Sequence, residues 1–583
     1  MREWQKILLL IVICFVAAGL FYRTMFREIS STTTGIASPA ILELTLSGTI
    51  PERAADDPFR DALGEGAFVT MQDALKLIRN AKRDDRIKAL VLRPMGMVAG
   101  WAKTDEIRNA LLSFKESGKP LYAYLDFAGE REYYLATVAD TIVGLGTGIW
   151  NVNGFAARPT FFKQTLEKIG VKADFVAHKE YKNAPDEYTR ESMSAQQRQI
   201  LNTIVDQYYG AFFDTLSANL DMPTTELQRH IDTGLFSIQK AHELGFVDTL
   251  MYYESFKTHL ENQFDKKPKF VGNSAYGKVN GADLGITATE TVAVIYGVGS
   301  IIGGGEGLYR QGEFITSGGM SKAVRDAAEN DDIKAIILRL DSPGGSGTAS
   351  DIIWQEIMEA RKKKPVIASI SDMAASGGYY LAMAADTIIA HPHSLVGSIG
   401  IYAGKFSMGE LYEKIGITGE TVSRGRNAAM FSDATPFTPE QRQIMSDFLL
   451  EFYNDFVNKV AESRGMTPEN AESLAKGRVW TGSEGKANGL VDELGDFSDA
   501  IRIAKEMSGI PLDESVKLAI YPRLESYFER LFSSLPFAID ANIELPPLVK
   551  LPPHFRQMLL AMPHFQPGEP LFWEINTFET GQQ

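Results

Sequence analysis

Cysteine is nearly absent: Cys14 is the only one in 583 residues. The chain therefore forms no internal disulfide and no cysteine-based zinc centre. Positive charge is also in deficit, with 59 Lys and Arg against 74 Asp and Glu and a net charge of −15. Nucleic-acid binding requires a basic face that neutralises phosphates, so no nucleic-acid partner is expected, and the acidity reads as a well-solvated surface. What is present is a globular composition, 44% hydrophobic and 23% charged. At this length it implies several domains.

Long apolar runs are scarce too. Residues 7–22, starting at Ile7 and ending at Tyr22, form an apolar run without charge, bracketed by Arg2 and Lys6 before and Arg23 and Arg27 after, and no second apolar run approaches its length. It falls slightly short of the roughly 20 apolar residues of a full span. Ala17, Ala18 and Gly19 are followed by Leu-Phe-Tyr, a poor cleavage site, and Cys14 has no lipobox around it. Residues 1–30 are therefore expected to be a retained signal anchor rather than a cleaved signal peptide. Basic residues on both flanks barely decide orientation. A short N-terminal tail that stays in the cytoplasm places the bulk of the chain outside it.

The body of the chain is written twice. "DDRIKALVLR" (84–93) matches "DDIKAIILR" (331–339), with Ile87 falling on Ile333 at a spacing of 246. "FAGEREYYLA" (127–136) matches "MAASGGYYLA" (373–382), and "LATVADTIV" (135–143) matches "LAMAADTII" (381–389), at that same spacing. "QRQI" recurs at 197–200 and 441–444. Each copy reads as α/β. Apolar runs such as "IKAIILRL" and "KPVIASIS" have the length and content of strands buried on both faces. Between them, "ASDIIWQEIMEARKK" places Ile352, Ile353, Ile357 and Met358 at helical spacing. The alternation predicts right-handed βαβ units and a largely parallel sheet in each copy. The expected layout is the anchor, α/β repeats over 40–265 and 291–514, a polar linker over 266–290, and a Pro-rich extension over 515–583 without a counterpart in the first copy.

The copies differ where chemistry is expected. Ser376 follows "KPVIASIS" and precedes a helical run, among small neighbours that let a substrate backbone approach. A helix start favours developing negative charge, but a serine there also serves as a plain N-cap. "LDSPGGSGTAS" (340–350) sets Gly344 and Gly345 after another strand, where N–H groups can face a ligand oxygen; an ordinary βα loop fits equally. That loop lacks both the G-x-G-x-x-G pattern and a P-loop lysine, so phosphate binding is disfavoured. The first copy has Glu130 in place of Ser376 and "PMGMVAGWAKTD" in place of the glycine loop.

A serine nucleophile needs a base. His391 and His393 in "AHPHS" are nearest in sequence, yet loop histidines beside a proline are more often surface residues. Lys182 in "EYKNAPDEY" aligns with Arg426, and a desolvated lysine can act as a base where arginine cannot. The losses are complementary: the first copy keeps the lysine, the second the serine and the glycine loop. One composite site across both copies explains this better than decay of a redundant copy.

At "DSPGG", "MAASGGYY", "GSIGI" and "YKNAP", together with the anchor and the duplication, the chain resembles the long form of the signal peptide peptidase A family, bacterial membrane-anchored Ser-Lys proteases. The likeness covers nearly the whole chain. The fold it implies is two tandem Clp protease/crotonase-like α/β domains with long peripheral helices behind one transmembrane helix. It implies Ser376 as nucleophile, Lys182 as general base, Ser398 orienting the lysine, and the N–H groups of Gly345 and Gly377 as oxyanion donors. It further implies no metal or cofactor, signal peptides and other extended apolar peptides as substrates, and a homotetramer. The catalytic domains would face the periplasm from the bacterial inner membrane. Two alternative classes are a crotonase-like acyl-CoA enzyme using glutamates such as Glu130 and a non-catalytic scaffold at the membrane surface.

Overall fold

The computed structural model describes residues 35–54, 69–312, 314–525 and 569–573. The expected anchor lies outside these residues, as does most of the C-terminal extension. Among the described residues no helix is long and apolar enough to cross a membrane.

Two largely parallel sheets carry the two copies. The first runs Lys269–Gly272, Ala40–Thr49, Ile87–Val98, Leu121–Ala128, Thr141–Trp150, with Phe236–Ser237 antiparallel at its end. The second runs Ser515–Tyr521, Ala288–Val298, Ile333–Ser342, Val366–Ala375, and the last of these pairs with both Thr387–Ala390 and Leu395–Gly397. The correspondence holds strand for strand. It includes Lys269–Gly272 and Ser515–Tyr521, which occupy equivalent edges although they lie in the stretches read above as linker and unmatched extension. Edge strands are short and half-exposed, so little in their composition marks them.

The central strands are apolar throughout because both faces are covered. In the second sheet Ile336, Leu338 and Ala368 pack under the helices Ser317–Glu329 and Gly347–Arg361. Ile337 and Ile367 pack against Ala500, Ile503 and Ala504 of the helix Phe497–Ser508 on the other face. Of the helical positions singled out above, Ile353 and Ile357 enter the core, whereas Ile352 is half exposed.

A third, six-stranded sheet belongs to neither copy alone. Its order is Ile315–Thr316, Ile301–Ile302, Gly344–Ser346, Leu571–Trp573, Ile401–Ser407, Lys172–His178. Lys172–His178 of the first copy runs antiparallel to Ile401–Ser407 of the second, with His178 opposite Ile401. The ladder fixes this register, so the residues just after His178, Lys182 among them, are delivered to the loops of the second copy.

Buried charges join the copies elsewhere. The helix Trp101–Lys115 starts at Gly100, which has no side chain to cap it. Asp372 of the second copy does so instead, accepting from the N–H groups of Gly100 and Lys103, each at 3.1 Å. Lys103 Nζ lies 2.6 Å from Asp341 and 3.3 Å from Asp372. Arg339 reaches across to Glu52 and Glu106 of the first copy.

Candidate active site

Ser376 stands between the strand Val366–Ala375 and the helix Gly377–Ala382, with φ at 56°. A non-glycine residue in this region carries about 1–3 kcal/mol of strain, which the surroundings must hold. Its N–H donates to the Gly397 carbonyl at 2.7 Å, tying it to the neighbouring strand. Lys182 Nζ donates to Ser376 Oγ at 2.8 Å, to Ser398 Oγ at 2.9 Å and to the Ser398 carbonyl at 3.3 Å. All three residues are buried. Ser398 also has positive φ, 51°, and its N–H donates to the Arg478 carbonyl at 2.7 Å. Lys476, with φ of 59°, accepts from the N–H of Tyr181, next to Lys182. Among the described residues, every non-glycine residue with positive φ is therefore at this site. Burial penalises an ammonium, so this is a setting in which a lysine can accept a proton.

Gly477 is a site residue that the repeat comparison does not reveal. Its φ is +81°, and a Cβ there would lie 2.5 Å from the Lys182 nitrogen and 2.7 Å from its Cα. Backbone meets backbone at this point, so neither side can yield cheaply. Gly477→Ala is expected to displace Lys182 and lower peptide hydrolysis by about 100-fold, the cost of misplacing a reacting group by about 1 Å. Gly465→Ala, with φ of +60° and nothing within 4 Å of the new Cβ, introduces backbone strain without the clash. Its turnover should stay near wild type in the same assay.

The glycine loop is held from both sides. The Ser342 hydroxyl donates to the Gly299 carbonyl at 2.7 Å and accepts from the Gly344 N–H at 3.1 Å. Gly345 has φ of +155°, and a Cβ there would sit 2.0 Å from the Ile301 carbonyl oxygen. Gly377 opens the helix directly after Ser376, and Gly378 leaves room for the Ser342 carbonyl, where a Cβ would come within 2.7 Å. Beyond the loop, Leu571–Trp573 lies antiparallel to Gly344–Ser346, and Leu571 also pairs with Tyr402. The Gly347 N–H donates to the Pro570 carbonyl at 2.9 Å. Leu571 packs against an apolar cluster that includes Ile302, Phe314, Tyr402 and Phe406. The gap between Gly344–Ser346 and Ile401–Ser407 thus accepts an extended segment with an apolar side chain.

The remaining candidates go elsewhere. His391 is buried and His393 half-buried, and both face Asp105 of the first copy. That partner stands nearly 300 positions away in the chain, so spacing gave no sign of it. Glu130 accepts from the N–H groups of Asn153 at 2.8 Å and Gly154 at 3.0 Å, and burial pushes its carboxyl above the usual range. It pins a loop of its own copy. Arg426 is exposed and pairs with Glu440 at 3.0 Å.

Comparison with known proteins identifies the family of the chain. Residues 113–267 and 358–510 match Peptidase family S49, once in each copy. "Serine protease SPPA, chloroplastic" of Arabidopsis thaliana is 33% identical over 502 residues, covering 85% of this chain and 73% of that protein. "Protease 4" of Salmonella typhi is 31% identical over 577 residues, covering 94% and 91%. "Protease 4" of Haemophilus influenzae is 29% identical over 516 residues, covering 83% and 82%.

Proposed function

The chain belongs to peptidase family S49 and is a serine protease, and from that premise we propose a membrane-anchored endopeptidase with a Ser376–Lys182 dyad that degrades signal peptides. The observation that carries this reading is the Lys182 amine held between the Ser376 and Ser398 hydroxyls in a buried pocket. In the proposed reaction neutral Lys182 takes the Ser376 proton as Oγ attacks the scissile carbonyl carbon. The N–H groups of Gly345 and Gly377 receive the oxyanion. The Lys182 ammonium then gives its proton to the leaving amine, and water, deprotonated by the regenerated amine, hydrolyses the acyl-enzyme. Ser398 fixes the amine by two of its contacts. No step calls for a metal or a cofactor.

An extended apolar substrate suits the gap filled by Leu571–Trp573, where backbone pairing supplies affinity and the apolar cluster supplies preference. Anchoring through residues 7–22, catalytic domains on the periplasmic side of the inner membrane and assembly into a homotetramer belong to this same reading. Two measurements test it. A fluorophosphonate probe should label wild type but not Ser376→Ala. A synthetic signal peptide should be cleaved with at least about tenfold higher kcat/KM than a polar peptide of equal length, since one or two extra methylenes in an apolar pocket already give that factor. Absence of labelling would remove the serine mechanism; equal rates would remove signal peptides as the substrate class.

A further inference from the structure

We propose that Asp105, His391 and His393 form a zinc site that clamps the two repeats together. Asp105 comes from the helix Trp101–Lys115 of the first copy, and both histidines follow the strand Thr387–Ala390 of the second. One donor atom from each lies within 4.8 Å of the others. The carboxylate is aimed: the Tyr134 hydroxyl donates to Oδ1 at 2.5 Å, leaving Oδ2 turned towards the imidazoles. His391 Nδ1 stands 3.4 Å from Oδ2, close to the ~3.3 Å between ligands of a tetrahedral zinc with bonds of about 2.0–2.1 Å. His393 Nδ1 is hydrogen-bonded to that same oxygen, and a metal would take the place of the shared proton.

The loop is already organised for this. The Ser394 hydroxyl accepts from the His391 N–H at 3.0 Å, and the Tyr208 hydroxyl donates to the His393 carbonyl at 2.8 Å. These contacts hold the backbone of the loop that presents both imidazoles. On its open side the cluster meets a cavity of about 640 Å³, lined by Asn109, Gln207 and Ser483 among others, with room for water at the fourth position. Two imidazoles and one carboxylate favour zinc and its transition-metal neighbours over magnesium or calcium, which prefer all-oxygen shells. The loop leads into Leu395–Gly397, whose last carbonyl holds the Ser376 N–H, and then to Ser398. A metal here would steady the strand that carries part of the site without touching substrate.

The test needs no activity measurement. The full-length chain, without a polyhistidine tag, is stripped with a chelator and titrated with Zn2+ against a chromophoric competitor. One Zn2+ per chain is expected, with a rise in melting temperature as the metal saturates the folded form. Co2+ in its place should give the visible absorption of a tetrahedral site. The double variant His391→Ala/His393→Ala should lose at least about 100-fold in affinity. Asp105→Asn, which keeps the shape of the carboxylate, serves if the double variant fails to fold, and should lose at least tenfold. Zn2+ affinity equal in wild type and variants would overturn the proposal, as would no binding to wild type. Neither result bears on the Ser376–Lys182 reading.

Discussion

Lys182→Met is expected to silence peptide hydrolysis while leaving the fold intact. Methionine fills most of the lysine volume and replaces a buried amine by an apolar group, so packing is kept. What disappears is the atom 2.8 Å from Ser376 Oγ. Loss of a positioned base lowers kcat by about 10²–10⁴-fold. Removing the nucleophile itself, in Ser376→Ala, is expected to cost about 10⁴–10⁶-fold, in the range seen when a residue of a catalytic unit is deleted. The double variant should be no slower than Ser376→Ala alone, because both residues serve one step. Ser398→Ala keeps serine and base but removes the 2.9 Å contact that fixes the amine, and should cost about tenfold in kcat. Hydrolysis of a signal peptide, with far-ultraviolet circular dichroism to monitor the fold, checks the series. Full activity in Lys182→Met would sink the dyad.

The repeat made the chemistry legible because duplication removed the usual difficulty of a single sequence. Glu130 opposite Ser376 and Arg426 opposite Lys182 marked two positions at which the copies had parted. The contact between Lys182 and Ser376 could not be read from spacing, since 194 positions separate them. It depends on the antiparallel ladder of Lys172–His178 with Ile401–Ser407, a pairing between copies that hydrophobic pattern does not encode. Gly477 was silent for a related reason: a glycine needed for a backbone crossing looks like any turn glycine until both chains are in place. The seating of His391 and His393 is not legible in the sequence because Asp105 approaches from a distant helix. Strands buried on both faces announced themselves by continuous apolar runs, whereas the edges Lys269–Gly272 and Ser515–Tyr521 did not.

Arg339→Met is expected to lower stability by about 3–5 kcal/mol. The aligned residue of the first copy, Arg93, is only partly buried, pairing with Glu43 at 2.9 Å and lying over the Tyr253 ring. Arg339 is sealed in. It donates to Glu52 Oε2 at 2.9 Å, Glu106 Oε2 at 2.5 Å and the Ser369 hydroxyl at 3.1 Å. Without the guanidinium, two carboxylates stay buried against each other, and the cost of stranding charge exceeds whatever the pair contributed when complete. Burial, reinforced by Glu52, already holds the Glu106 carboxyl above its usual range despite Arg339, so the folded chain keeps that proton more tightly than the unfolded one. The contribution of Glu106 is therefore fullest below its unfolded pKa and is lost as pH rises through the folded value. Glu52 behaves oppositely: burial pushes it up, but Arg339 and Lys103 pull it below its usual range, so its contribution is lost on acidification. Removing Arg339 turns Glu52 towards the behaviour of Glu106, because burial is then opposed by Lys103 alone among its two cations. The defect in Arg339→Met should accordingly shrink as pH is lowered from neutrality, when protonation discharges both carboxyls. Adding Glu52→Gln and Glu106→Gln should recover most of the loss at neutral pH, since a neutral buried set needs no counter-ion. Urea midpoints of the single and triple variants, measured from pH 7 downwards, decide the matter; a pH-independent defect would show that packing around Arg339, not its charge, joins the two copies.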